Sequence, residues 1–255
     1  MKTKLSQLIV LVFAALSTQY HANAQNRDQS FKEYQFSNER VRTAWKEYED
    51  TLQSIFTSNK LNWPPNEIFL RAFKSQNEME LWARNDVSEA FKKVKTYNIC
   101  AISGKLGPKR QQGDKQVPEG YYFIDEYNAQ SEYYLSLLIN YPNYSDRMQG
   151  STRMGGDIYI HGSCLTVGCL PMTDQGIKEI YTLCLSAKLN GQEFIPVHIY
   201  PTHMHSRGIN YLMTSYPGNA AKQQFWAALK KGYDFFEQYH KLLPVMYGPD
   251  GSYIN

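Results

Sequence analysis

"IHGSCLTVGCLPMTDQG", Ile160 to Gly176, packs one histidine, two cysteines and three glycines into seventeen residues. It overlaps "DIYIH" (Asp157 to His161), which alternates as a strand does. Ile158 and Ile160 share one face, and Asp157, Tyr159 and His161 share the other. With the isoleucines in a core, His161 faces outward or into a cleft, and Gly162 lets the chain turn away. Gly168 stands directly before Cys169, where the lack of a Cβ lets backbone N–H groups approach an incoming carbonyl. Thr173 can cap a helix running to about Leu189, with Ile177, Ile180, Tyr181 and Cys184 as its inner stripe and Asn190-Gly191 as its stop. The positive end of that helix would favour a thiolate at Cys169. A loop from Gly162 to Gly168 that folds back would bring imidazole and sulfur together, the arrangement of an activated nucleophile.

Working outward, two alternating segments, Ile68–Lys74 and Glu78–Arg84, flank the short polar stretch Ser75-Gln76-Asn77 and read as a hairpin. Tyr97–Ser103, Tyr133–Pro142 and Phe194–Pro201 read as further strands. Gly104 to Ile124, rich in glycine, proline and charge, reads as a loop with its tip at Gly113-Asp114. Helical periodicity marks residues 31–57, through Val41, Trp45, Tyr48, Leu52 and Ile55, until Asn62-Trp63-Pro64-Pro65 breaks it. It marks 219–243 as well, through Phe225, Leu229, Tyr233, Phe236 and Tyr239. The fold class is therefore mainly β with flanking helices (α+β), the middle β-rich and both ends helical.

Lys2 and Lys4 precede an apolar run, Leu8–Leu16, and then Ala22-Asn23-Ala24, the pattern of a cleaved export signal. The apolar run is too short to span a bilayer. The expected organisation is a signal peptide over 1–24, an N-terminal helical segment over 25–62, a catalytic domain over 63–200 and a C-terminal helical extension over 201–255 packed on it. The net charge of +3 is scattered rather than massed, so no nucleic-acid footprint is present. The four cysteines contain no CxxC pair, which argues against a zinc ribbon. Cys164 reads as a small apolar loop residue, with Cys169 the partner considered for a disulfide. Cys100 and Cys184 read as buried thiols that an oxidising compartment would let pair. "HIYPTHMH" offers His198, His203 and His205 to a zinc ion, but Pro201 interrupts the segment and no carboxylate partner accompanies it.

The quoted stretch resembles the L,D-transpeptidase catalytic domain (YkuD-type) family, in which a His-Gly pair precedes a Ser/Thr-x-Gly-Cys box. Here these are His161-Gly162 and Thr166-Val167-Gly168-Cys169. "GPKRQQGDKQVPEGYYFI" is similar to the Gly-Pro…Gly-Asp…Pro-Glu-Gly-x-Tyr stretch of that family. The short His-to-Cys spacing, "IFLRAFKSQNEMELWA", "NYPNYSDR" and "FWAALKKGYDFFEQYHK" resemble its YafK-like murein transpeptidase branch, so the likeness runs from Ile68 to Lys241. Two departures stand out. Val167 occupies the place of the common histidine, and Leu170-Pro171-Met172 replaces an arginine that follows the cysteine in many members.

The resemblance implies a β-sandwich catalytic domain and a periplasmic cysteine enzyme acting on peptidoglycan stem peptides, without a metal or cofactor. Cys169 would be the nucleophile and His161 the base, oriented by the Gly162 carbonyl. The N–H groups of Gly168 and Cys169 would hold the oxyanion. Arg147, in the "NYPNYSDR" box, leads the candidates for holding substrate, with Thr166, Ser163, Lys109 and Arg153 beside it. The branch further implies a cell-wall-linked lipoprotein as a partner. Transpeptidation and hydrolysis both stay open at this level, as do a catalytically inert stem-peptide binder and a zinc hydrolase built on His198, His203 and His205.

Overall fold

A computed structural model describes residues 28–254; the expected export signal over 1–24 lies outside them. Residues 28–37 form α1 and Glu39–Ser58 form α2, which starts where the Asn38 side chain accepts the Arg40 N–H at 2.9 Å. Val41, Ala44, Leu52 and Phe56 are its buried stripe. The strands are β1 (Glu67–Phe73), β2 (Glu78–Arg84), β3 (Lys92–Asn98), β4 (Gly120–Asn128), β5 (Ser136–Ile139), β6 (Tyr159–His161), β7 (Leu170–Pro171) and β8 (Pro196–Tyr200). Helices α3 (Tyr144–Gln149), α4 (Thr173–Leu189), α5 (Ser206–Ser215) and α6 (Ala220–Tyr239) complete the chain.

All eight strands join one mixed sheet in the order β3-β2-β1-β8-β4-β5-β6-β7. Most neighbours are antiparallel; β1–β8 and β6–β7 are parallel. The register of β4 against β5 shifts between Ile124 and Glu126. There β4 leaves β8 and carries the sheet on into the β5–β7 half, which gives a half-barrel rather than a flat sheet.

The central strands β1 and β8 are buried along nearly their whole length because both of their faces are covered. Ile68, Leu70 and Ala72 of β1, with Val197 and Ile199 of β8, enter the main core under α2 and α4. Phe69 and Phe73 point the other way, onto Phe236 of α6 and the cluster around Trp226, Leu229 and Tyr233. Helix α4 is buried on nearly every side, since α2 covers its outer face. No helix among the described residues is long and apolar enough to cross a membrane.

Several elements differ from expectation. The third strand lies at Lys92–Asn98 rather than Tyr97–Ser103, because its antiparallel partner β2 begins at Glu78, opposite Asn98. The glycine- and charge-rich loop stops at Glu119. Gly120–Asn128 is strand β4, paired to β8, so its aromatic run belongs to the sheet. The strand expected over Tyr133–Pro142 shrinks to Ser136–Ile139, and α3 and α5 were not foreseen. Tyr239 is 50% exposed, one turn beyond the point where α6 still meets the sheet.

Candidate active site

Strands β6 and β7 run side by side and parallel, with Ile160 opposite Leu170 and His161 opposite Pro171. Ile160 and Leu170 are fully buried in the main core. The opposite face therefore carries Tyr159, His161 and Pro171, and Cys169, one residue before β7, falls level with Tyr159. Imidazole and thiol thus occupy one face of adjacent strands, one step of the alternation apart. The Tyr159 N–H donates to the sulfur at 3.4 Å, and the thiol is 3.5 Å from the Asp157 carbonyl, which can accept its proton.

His161 is 1% exposed and lies under the Tyr133 ring, with 4.6 Å between ring centres. Its Nδ1 is hydrogen-bonded to the Gly162 carbonyl. A carbonyl only accepts, so Nδ1 carries the proton and Nε2 keeps its lone pair. Gly162 has no room for a side chain: a Cβ would lie 2.5 Å from the Tyr133 carbonyl oxygen and 2.6 Å from the Asp174 carboxylate. Gly168 has φ +123°, a backbone state open to glycine. Three non-glycine residues in the left-handed region, Asp157, Ser163 and Thr173, surround the pair, the clustering expected where a site dictates the backbone.

The Thr166 hydroxyl organises the loop. It accepts the N–H of Cys169 at 2.9 Å and of Gly168 at 3.3 Å, and donates to the Cys169 carbonyl at 2.8 Å. The two N–H groups expected to hold an oxyanion are therefore already satisfied, and a substrate carbonyl reaches them only by displacing Thr166. Exposed Leu165 and Val167 form the outer edge of this loop.

Burial pushes the Cys169 thiol above its ordinary range, against the Tyr159 N–H, which stabilises the thiolate; the Asp157 carboxylate adds to the push and Lys109 opposes it. Burial likewise lowers His161, against the bond to Gly162. Both shifts favour the neutral forms, thiol and imidazole, and so oppose the thiolate that the sequence pointed to. Leu170, Pro171 and Met172 separate the sulfur from α4, whose first turn is occupied: the Thr173 hydroxyl accepts the Gly176 N–H and the Asp174 carboxylate accepts the Ser163 N–H.

The disulfide joins Cys100 to Cys164. This replaces both sequence-based readings, Cys164 as an unpaired apolar residue and Cys100 as a partner for Cys184. Cys184 is a free, fully buried thiol on α4, and Cys169 is free. The chain leaves β3 at Asn98, and the Cys100 N–H bonds to the Pro171 carbonyl at 2.9 Å, which sets it beside the loop that carries Cys164.

The proposed substrate contacts separate in space. Arg147 closes the last turn of α3, exposed, with its guanidinium on the Pro142 carbonyl. It lines a cleft of about 680 Å³ that reaches Asp157 beside the sulfur. Lys109 is 4% exposed and ion-paired to Asp114, within electrostatic reach of Cys169 but turned from solvent. Ser163 is half-buried with its backbone on Asp174, while Arg153 is exposed and does not line that cleft. The three imidazoles diverge. His198 packs edge-on against Phe69, His203 stacks on Phe73 and meets Glu78 at 3.3 Å, and the His205 ring caps α5. No cluster of three metal-ligating side chains occurs among the described residues.

Tyr159 and Tyr133 escaped the sequence reading as site residues. Tyr159 shared the alternating face of His161, which was a usable signal. Tyr133 lies 28 positions before His161 and only the β5–β6 pairing brings it near.

Residues 68–199 match the L,D-transpeptidase catalytic domain family, YkuD. The chain is 35% identical over 189 residues to the Escherichia coli K12 protein named "Putative L,D-transpeptidase YafK", spanning 73% of each chain. Among solved structures it is similar to the helical cell shape determining protein Pgp2 of Campylobacter jejuni, at 17% identity and TM-score 0.43, over 72% of this chain and 73% of that one. It is also similar to Bd1075 of Bdellovibrio bacteriovorus, at 22% identity and TM-score 0.40, over 69% and 59%.

Proposed function

Because the chain belongs to the YkuD-type L,D-transpeptidase catalytic domain family, we propose that it is an exported, periplasmic cysteine acyl-transfer enzyme acting on peptidoglycan stem peptides. The observation that supports this reading is the pairing of β6 with β7, by whose alternation the Cys169 thiol and the His161 imidazole fall on one face of adjacent strands, with no hydrogen bond to His161 Nε2 among the described residues.

In the proposed reaction the Cys169 sulfur attacks an amide carbonyl of the stem peptide as Nε2 of His161 takes the thiol proton. The developing oxyanion displaces the Thr166 hydroxyl and takes the N–H groups of Gly168 and Cys169. Donors of this kind contribute roughly 3 kcal/mol each in comparable chemistry. The carbon–nitrogen bond then breaks, His161 returns the proton to the departing amine, and a thioester remains on Cys169. An amine completes a transpeptidation and water completes a hydrolysis, with release or attachment of a cell-wall-linked lipoprotein as instances of these outcomes. The neutral resting pair suits this order, since the proton moves as the bond forms.

Purified Cys169→Ala, assayed by mass spectrometry of products from defined muropeptides, is expected to lose all turnover while keeping the wild-type melting curve. Turnover equal to wild type would refute the mechanism. A wild-type protein that binds stem peptides without converting them would stand as an inert member of the family.

A further inference from the structure

The turn His161-Gly162-Ser163 is tied through its backbone to the segment that starts α4. The His161 carbonyl accepts the Met172 N–H at 2.8 Å, and the Ser163 carbonyl accepts the Thr173 N–H at 3.2 Å. The Gly162 N–H points the other way, to the Leu135 carbonyl at 3.2 Å. The Ser163 N–H donates to the Asp174 carboxylate at 2.8 Å. Ser163 holds φ +63°, a state that costs a residue with a side chain and that these bonds fix. Asp174 also lies close against Gly162, where a Cβ would come within 2.6 Å of its Oδ1.

One peptide unit connects this carboxylate to the imidazole. The N–H that Asp174 accepts and the carbonyl that accepts His161 Nδ1–H belong to the same amide, between Gly162 and Ser163. In a planar, resonant amide an anion at the N–H end pushes electron density toward the oxygen. The oxygen then holds the Nδ1 proton more strongly, as linked hydrogen bonds reinforce one another. Asp174 has no ion pair among the described residues; Lys178, one turn further along α4, is paired with Glu47. Around the imidazole stand the Tyr133 ring, which covers it, and the Cys169 thiol on the same strand face. Its strand neighbours, Ser136 and Pro171, carry no charge.

We propose that Asp174 is a positioning residue for His161: its carboxylate polarises the Gly162–Ser163 amide, and that amide both aims the imidazole and tightens the hold on its Nδ1 proton. The assignment rests on the proposed function, in which Nε2 of His161 gains a proton as Cys169 attacks. It deepens that reading by supplying the anion that steadies the imidazolium. In the Ser-His-Asp arrangement a carboxylate bonded straight to imidazole does this; here a peptide bond lies between the two. The bond to Gly162 opposes the lowering of His161 by burial, and an anion behind that bond adds to the opposition. The effect falls on the step where charge develops, not on substrate binding.

Asp174→Asn is the deciding variant, because it keeps an oxygen for the Ser163 N–H and removes only the charge. Asp174 is exposed on the first turn of α4, so the full-length mature variant is expected to melt close to wild type. Nuclear magnetic resonance of histidine-labelled protein reads His161 without requiring turnover, and at 1% exposure its Nδ1–H is shielded from exchange. In Asp174→Asn the His161 titration should move to lower pH and the Nδ1–H resonance upfield. Its kcat on defined muropeptides should fall about three- to tenfold with KM unchanged. Asp174→Ala, which also strips the Ser163 N–H of its acceptor, should move all three further. An Asn variant with the wild-type titration and resonance, while Ala alone is displaced, would reduce Asp174 to a structural cap and overturn the inference. A wild-type protein that converts no muropeptide, while His161 still responds to Asp174→Asn, would remove the acyl-transfer reading and leave this relay standing.

Discussion

The proposed chemistry turns on two shifted residues, Cys169 upward and His161 downward, both by burial. A base whose pKa is lowered stays in its free form until the pH falls below its ordinary value of about 6.5. The proposed reaction needs that free form. Turnover should therefore hold through mildly acidic pH and fall only as pH drops through the lowered pKa of His161. A pH–rate profile that already loses half its rate above pH 7 would contradict this. Simple alkylation of Cys169 by iodoacetamide should be slow at pH 7 and climb above pH 9, since the thiol is not pre-ionised. Gly162 shows how closely this residue scale is built: Gly162→Ala meets the Tyr133 carbonyl and the Asp174 carboxylate at once.

At the scale of elements, the segment from Gly162 to Gly168 has no regular structure, yet it positions both Cys169 and Thr166. The disulfide to Cys100 clamps it to the end of β3 across a separation of 64 residues. Closing a loop of that length stabilises a fold by about 4 kcal/mol in the chain-entropy view. Cys100→Ser with Cys164→Ser is expected to lower the melting temperature, with a loss of about 2–4 kcal/mol. Hydrogen exchange should quicken across residues 162–168 more than in α2. Unchanged protection there would show that β6, β7 and the Thr166 bonds suffice to hold the loop. The alternation of "DIYIH" and the stripe of α4 were readable in advance because each is a local periodicity. Strand β4 was not, because its aromatic run follows glycine and proline, and only pairing to β8 makes it a strand.

Across the whole molecule, a buried polar junction adds to the apolar packing that holds α6 on the sheet and ties that helix to the 104–119 loop. Lys74, fully buried, bonds to the Glu119 carboxylate at 2.9 Å and to the carbonyls of Lys105, Gly107 and Val117. Glu119 also takes the Gly107 N–H and, through its other oxygen, the Trp226 indole N–H from α6. The 104–119 loop in turn sets the Gln116 carbonyl against Gly168. Lys74→Met would strand Glu119 as a buried charge, a change that costs about 3–5 kcal/mol. Denaturant unfolding should register that loss, while a stability equal to wild type would mean that water or a rearranged loop satisfies Glu119. Neither partner of this junction was foreseen: a lysine at the end of a strand reads as exposed in sequence.

The sequence alone determined the α+β class, the two flanking helical regions and the family, and it singled out His161 and Cys169 as candidates, since periodicity and short motifs are local and survive without a fold. Tertiary structure decided what depends on distance along the chain. It selected Cys100 for Cys164, buried the thiol in a way that raises its pKa, turned the Gly168 and Cys169 N–H groups to Thr166, and set Tyr133 over the imidazole. It also parted Arg147, on the cleft, from Lys109 and Arg153. The physical reason is common to all of these: burial, charge pairing and disulfide choice depend on which segments meet in space, and the sheet order β4-β5-β6-β7 makes those meetings.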